Sequence, residues 1–334
     1  MRYFAENYQK ISKSNHNCSE LFMKKYIKHL DDLVIDEEEY IIYLERWLEG
    51  IESELEFWRH YIETKGKEWN TDWDDLISDD RPFSLDEYLI SEETKFLDVG
   101  SGPFSSCGIK SNQTKLKIYA VDPLAYIYKE IKNKNKIKTG ITPDFAFVEN
   151  LNEKFGINEF DIVHMRNSLD HAFNPLIGIL QMLSICKIGG RIILQHVRNE
   201  AENENYYGFH QWNLCINDSE FIIWRLGIKY NVTEILKEYV EFTIKDNPSG
   251  HLFTVLLIKK QDISCNNILH NKFDVIRDEL IFKKLSEMIV TDAYKNGYRK
   301  IVIIKRIVKK IPLLGCFASK VFRWYKKAKK HSHK

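Results

Sequence analysis

Lys95-Phe96-Leu97-Asp98-Val99-Gly100-Ser101-Gly102-Pro103 reads as a short buried strand that breaks into a glycine turn. An acid stands two residues before the first glycine. About twenty residues on, Leu116-Lys117-Ile118-Tyr119-Ala120-Val121 reads as a second strand, ending in Asp122-Pro123. Glycine lacks a Cβ and tolerates positive φ, so backbone at Gly100 and Gly102 can approach a ligand closely. An acid at the tip of the next strand, here Asp122, can hold both hydroxyls of a ribose in a doubly wound sheet. The pair of motifs therefore predicts a site for an adenosine-containing cofactor.

Working outward, strands and helices alternate from Thr94 onward, which predicts an open, largely parallel sheet with helices on both faces. Phe160-Asp161-Ile162-Val163-His164-Met165-Arg166 and Arg191-Ile192-Ile193-Leu194 supply further strands, with a helix over about residues 175–186 between them. Two late strands are expected at Phe221–Arg225 and Leu252–Ile258. Upstream, Leu44, Leu48, Ile51, Leu55, Trp58 and Ile62 recur at steps of three and four, predicting an amphipathic helix over 36–65. Asp36-Glu37-Glu38-Glu39 favours its N-terminus electrostatically, and Lys65-Gly66 is its stop. This helix either packs on the sheet or forms a lid over the substrate. The expected organisation is an N-terminal helical cap (1–90), a cofactor-binding domain (91–260) and a helical, basic C-terminal extension (261–334).

Composition narrows the class. An aromatic content of 13% and an apolar content of 44% support a packed globular protein. The start, Met1-Arg2-Tyr3-Phe4-Ala5-Glu6-Asn7, lacks the pattern of a signal peptide, and no stretch has the uninterrupted apolar length of a membrane span. Cys18, Cys107, Cys186, Cys215, Cys265 and Cys316 form no C-x-x-C pair, so free thiols in a reducing cytoplasm are expected. The net charge of +1 conceals an asymmetry: residues 299–334 carry 13 Lys and Arg and no acid. The remainder holds 36 basic against 48 acidic residues, a net of −12. Ile301, Ile304, Val308, Phe317, Phe322 and Trp324 interleave with the basic residues. That pattern over 299–330 fits peripheral contact with an anionic membrane surface, while the acidic body argues against nucleic acid.

Leu97-Asp98-Val99-Gly100-Ser101-Gly102-Pro103 and Ala120-Val121-Asp122-Pro123 resemble the first two motifs of class I S-adenosylmethionine-dependent methyltransferases. Phe160–His171 resembles the family's fourth strand and following loop, and Lys187–Leu194 its fifth-strand region; the four pieces fall in order within about 92–260. Tyr207-Gly208-Phe209-His210-Gln211-Trp212-Asn213 resembles a bacterial subgroup often linked to surface-glycan synthesis. The resemblance implies a Rossmann-like fold with a last antiparallel strand at Leu252–Ile258, and S-adenosyl-L-methionine as cofactor. It implies that Asp98, Gly100, Ser101 and Gly102 surround the methionine portion and that Asp122 and Pro123 flank the ribose. Asn150 or Glu149, in the third motif, would reach the adenine, and Asn167 would lie at the end of the fourth strand. Phe104 departs from the pattern by standing where the family carries a third glycine. Ser105 likewise breaks the G-x-G-x-x-G of nicotinamide enzymes.

Methyl transfer to a hydroxyl calls for a general base or a metal, whereas an amine needs only to arrive neutral. His171 leaves the fourth strand, His196 ends the fifth, and His210 sits in the Tyr207–Asn213 loop, so all three are expected at one mouth. His171 or His210 is the candidate base, with Asp170 orienting it. Asn167, Asp170 and His171 also resemble an E-x-x-E-H metal motif, but Asn167 replaces a carboxylate, so a divalent metal is not favoured. The expected activity is a cytoplasmic O-methyltransferase acting on a sugar or small glycan precursor. The alternatives are N-methylation of a small molecule, a nicotinamide-dependent oxidoreductase, and a catalytically silent binding module.

Overall fold

The fold is described from a computed structural model, which covers residues 25–33, 37–246 and 252–263 with Ile281 and Lys284. The helix expected near 273–296 and the basic stripe at 299–330 lie outside the described residues. In chain order the strands are β1 (Lys25–Ile27), β2 (Glu93–Val99), β3 (Lys115–Val121), β4 (Phe160–Arg166), β5 (Cys186–Val197), β6 (Asn213–Asn217), β7 (Glu220–Arg225), β8 (Ile228–Asn231), β9 (Val240–Lys245) and β10 (Leu252–Lys259). The helices are α1 (Glu37–Glu63), α2 (Trp73–Ile77), α3 (Ala125–Lys134), α4 (Pro175–Ile185), α5 (Glu200–Asn203) and α6 (Val232–Leu236).

The chain divides into two compact units. One comprises residues 1–35 and 50–269, the other 36–49 and 270–334. In the second, the described residues include the first turns of α1, where Tyr40, Leu44, Trp47 and Leu48 are buried. From Gly50 onward α1 belongs to the first unit, and it stops at Lys65 and Gly66, both at positive φ. Among the described residues, no helix is long and apolar enough to cross a membrane.

The first unit holds a six-stranded sheet of order β3-β2-β4-β5-β10-β9. β3, β2, β4 and β5 run parallel, while β10 enters antiparallel to both β5 and β9. This is the Rossmann-like, doubly wound α/β arrangement expected from the sequence, with Leu252–Lys259 as the inserted antiparallel strand. The chain leaves β2 toward β3 on one side and returns to β4 on the other, so the ligand crevice of such a sheet opens at the carboxyl ends of β2 and β4.

Phe83, Leu85, Tyr88, Phe96, Cys107, Ile162 and Ile193 form a buried cluster that includes residues of β2, β4 and β5. α4 is buried along its whole length. Asn174 caps it by accepting from Ile177 N at 3.2 Å, and Pro175 occupies the first turn, where a missing N–H costs nothing. Each of its buried Leu, Ile and Met side chains contributes about 2 kcal/mol. β1, β8, β7 and β6 form a second, four-stranded sheet, which takes in the strand expected at Phe221–Arg225.

The segment before β2 is pinned to the loop after the glycine turn. Phe83 N donates to Lys110 O at 2.8 Å and Ser84 N to Cys107 O at 2.7 Å. Gly108 sits at φ +73°, and a Cβ there would lie 2.0 Å from Pro82 O. Gly108→Ala is therefore expected to destabilise the fold by about 3 kcal/mol through strain and overpacking, measured as a shift of the urea unfolding midpoint.

Candidate active site

The glycine turn is built by hydrogen bonds from its own backbone. Gly100 N and Ser101 N donate to Val121 O at 2.8 and 3.2 Å, tying the end of β2 to the end of β3. Gly100 and Gly102 both take positive φ, 63° and 61°. Asp122 reaches back across the turn: its Oδ2 accepts from Gly102 N at 3.0 Å and its Oδ1 from Leu124 N at 2.7 Å. Burial pushes the Asp122 carboxyl up to about 7, partly offset by these two donors and reinforced by Glu54 and Asp98. Pro123 follows it and leads into α3.

Trp58, from the second half of α1, packs on this turn. A Cβ on Gly102 would meet the Trp58 ring at 2.7 Å. Trp58 Nε1 donates to Glu54 Oε1 at 2.7 Å, and Tyr128 OH reaches the same oxygen at 3.4 Å. Phe104 has a physical role in place of the expected glycine. Its buried ring packs edge-on against Trp58 and Trp73, with centroids 6.3 and 5.6 Å away. Trp73 opens α2, whose first turn is capped by the Asp72 carboxylate accepting from Asp75 N at 3.0 Å.

Asp98 lies near the end of β2, two residues before Gly100. It is buried, and its Oδ1 meets His164 Nδ1 at 2.8 Å. Asp98 and His164 are register partners on β2 and β4. The same ring nitrogen lies 3.3 Å from Cys107 Sγ, and Nε2 lies 3.2 Å from Gln195 Oε1 on β5. Burial opposes charge on this ring, but Cys107 and Asp98 outweigh it and hold His164 up at about 10. Sequence reading passed over His164; the signal available was a histidine inside an otherwise apolar strand that also carries the loop of interest.

The two asparagines expected near the ligand make hydrogen bonds around their own turns. Asn150 Oδ1 accepts from Phe147 N at 3.2 Å and its Nδ2 donates to Glu153 Oε2 at 2.9 Å, so both ends of its side chain are occupied in its own turn. Asn167 sits at φ 46° and its Oδ1 accepts from Val197 N at 3.0 Å, linking β4 to β5. The following residue faces the turn: Ser168 Oγ would lie 2.4 Å from a Cβ on Gly100.

Asp170, His171 and His210 come together. His210 Nδ1 lies 2.7 Å from Asp170 Oδ2, and His171 Nε2 lies 3.3 Å from His210 Nδ1 and 3.5 Å from the same carboxylate oxygen. The loop carrying His210 is held by its backbone, since Gln211 N and Trp212 N both donate to Asp170 O, at 3.1 and 3.2 Å. Phe209 of that loop packs on Gly50, where a Cβ would meet it at 2.4 Å. Trp212 is fully buried and stacks on Tyr230, so it is a core residue of the second sheet; Tyr207 is exposed. Burial works against the Asp170 charge, but His171, His210 and His196 bring its carboxyl down to about 2. Burial likewise opposes a charged His210, and Asp170 more than compensates, raising it. The ligating atoms of Asp170, His171 and His210 lie within 4.8 Å of one another. One carboxylate with two imidazoles suits a borderline transition metal better than magnesium.

His196 is buried with neither ring nitrogen hydrogen-bonded, and burial lowers it to about 4. A folded-state value below the unfolded 6.5 means that protonation favours unfolding. The stability is complete above about pH 6.5 and is lost as pH falls toward 4. Between about pH 7.5 and about pH 4.5 the wild type is expected to lose about 2.5 kcal/mol relative to His196→Phe, read from urea unfolding of both proteins.

Comparison with protein-family models and with curated proteins gives no match. Among solved structures the chain is similar to a possible histamine N-methyltransferase from Thermotoga maritima, at 14% identity and a TM-score of 0.40, covering 62% of this chain and 100% of that one. It is similar to a SAM-dependent methyltransferase from Aquifex aeolicus at 15% identity and a TM-score of 0.35, covering 58% and 96%. A putative S-adenosylmethionine-dependent methyltransferase from Listeria monocytogenes gives 12% and 0.37, covering 53% and 96%. Likeness this distant carries no weight on activity.

Proposed function

We propose that the chain is an S-adenosylmethionine-dependent methyltransferase that methylates a hydroxyl of a sugar or other small precursor of a surface glycan. The observation that carries the cofactor reading is the pairing of Asp122 with Gly102 N at the switch point of the sheet. It sets a carboxylate suited to a ribose diol against a turn whose two glycines both take positive φ. The buried Asp98 Oδ2, which has no hydrogen-bond partner, adds an acceptor suited to a cationic ligand. The residues at this turn therefore fit the cofactor. When bound, it supplies a methyl group on a sulfonium, ready for in-line displacement.

The protein's part is to position the acceptor and take its proton. His210 donates Nδ1–H to Asp170, which leaves Nε2 to receive the proton of an acceptor hydroxyl. Asp170 stays ionised and stabilises the imidazolium that results. His171 directs its Nε2 at the same pair and serves to hold them. The glycan substrate rests on the Tyr207–Asn213 resemblance. The cytoplasmic location and the membrane contact of residues 299–330 rest on cysteine usage and charge pattern alone.

The test is transfer of labelled methyl from the donor to nucleotide-sugar and amine acceptors, each with and without divalent metal. Label entering hydroxyl acceptors in the absence of metal supports the reading. Label entering amines only assigns N-methylation, and strict dependence on added metal replaces the base by a Lewis acid.

A further inference from the structure

Asp98 is a carboxylate buried among β2, β4 and the loop after the glycine turn, and one side chain answers its charge. His164 meets it at 2.8 Å from the register-paired position on β4. The ring is fully buried, stacks on Phe96 at 5.9 Å and 26°, and is fixed at its other nitrogen by Gln195 at 3.2 Å. Both principal partners are acceptor atoms, a carboxylate oxygen on Nδ1 and an amide oxygen on Nε2. A hydrogen on each ring nitrogen would satisfy both acceptors. Asp98 Oδ2 remains without a protein partner although it is buried.

We infer that His164 is a positioning residue of the cofactor site: an imidazolium locked between Gln195 and Asp98 that fixes the Asp98 carboxylate beside the glycine turn, with Oδ2 left to receive the cationic part of the ligand. This rests on the methyltransferase reading for the identity of the ligand, and on geometry for the ion pair. The pair makes the β4 strand part of the cofactor site, because moving β4 relative to β2 would part the two charges. A buried carboxylate without that partner would turn away, since an isolated charge is costly in a dry interior. Cys107 Sγ, 3.3 Å from Nδ1, lies close enough to feel the same ring and belongs to the loop that follows the turn.

The test has two arms on the full-length protein. Nitrogen-detected NMR of histidine-labelled protein at about pH 8 is expected to find one histidine protonated at both ring nitrogens, its signals absent from His164→Gln and shifted in Asp98→Asn. Calorimetric titration with S-adenosylhomocysteine is expected to find affinity lowered at least tenfold in His164→Gln. That variant keeps a hydrogen-bond donor for Asp98 but has no charge, and its thermal midpoint serves as the check on folding. Asp98→Asn in the same background should lower affinity no further, which a purely structural role for His164 would not require. A neutral His164 at that pH, or a folded His164→Gln that binds as tightly as the wild type, overturns the inference. Wild-type protein that binds no S-adenosylhomocysteine but retains the doubly protonated histidine overturns the methyltransferase reading and leaves the ion pair standing.

Discussion

Replacing His210 by alanine is expected to lower turnover of a hydroxyl acceptor by about 10² to 10⁴, the range for loss of a general base. The assignment follows from which nitrogen of each ring is occupied. His210 presents Nδ1 to Asp170 at 2.7 Å, whereas His171 turns Nε2 inward to His210 and Asp170. His171→Ala should therefore lower turnover less than His210→Ala, and Asp170→Asn should act mainly by misorienting the His210 ring. The pH profile separates this from a packing effect. Because Asp170 raises His210 against the opposing effect of burial, the ring must lose its proton above its ordinary value of 6.5 before it can act. Turnover should rise with pH through that raised value. A variant that merely loosens the loop would lower the plateau without moving the rise. Initial rates of methyl transfer from about pH 6 to about pH 10 for the three variants provide the check.

Exchange of Asp122 for asparagine should cost the cofactor site far more than it costs the fold. The carboxylate accepts two backbone hydrogen bonds, from Gly102 and Leu124, and a ribose diol would add two more to a charged acceptor. Hydrogen bonds to charged groups are worth about 1.5–3 kcal/mol each, so S-adenosylhomocysteine affinity should fall about a hundredfold or more. The effect on folding is a balance. Burial raises Asp122 from an ordinary 3.8 to about 7, so its ionised form is unfavourable in the folded protein. Stability therefore declines as pH rises from about 4 through about 7. Asparagine removes that cost and loses one backbone hydrogen bond. The net change at about pH 8 should stay within about 2 kcal/mol. Affinity in the wild type should strengthen as pH rises through about 7, where the carboxylate ionises. Paired urea unfolding and calorimetric titration on either side of that value read both quantities.

Elements set by local chemistry were legible in the sequence. The glycine turn, the Asn174-Pro175 start of α4, the Lys65-Gly66 stop of α1 and the alternation of β2 to β5 each announce themselves within a few residues. The antiparallel β10 was legible as a strand, and its direction came from the family resemblance. The second sheet was not legible as a sheet, because β1 pairs with β8 across some two hundred residues and no local pattern encodes that partner. The candidate site divides the same way. Asp122 was legible as a candidate from its strand-end position, and Asp170 and His210 because both flank recognisable motifs. Asn150 and Asn167 were legible as candidate ligand contacts but not as partners of backbone groups in their turns, a use for which asparagine is equally suited. His164 escaped notice because its meaning depends on β2–β4 register, which brings it opposite Asp98.

The measurement that bears most directly on the central claim is calorimetric titration of the intact protein with S-adenosylhomocysteine, beside NADH and beside the Asp98→Ala variant. Stoichiometric, micromolar binding of S-adenosylhomocysteine that Asp98→Ala loses, with no heat from NADH, is the predicted result. Folded wild-type protein that ignores S-adenosylhomocysteine, or that takes up NADH in its place, would contradict the assignment of the glycine turn and Asp122 to a methyl donor.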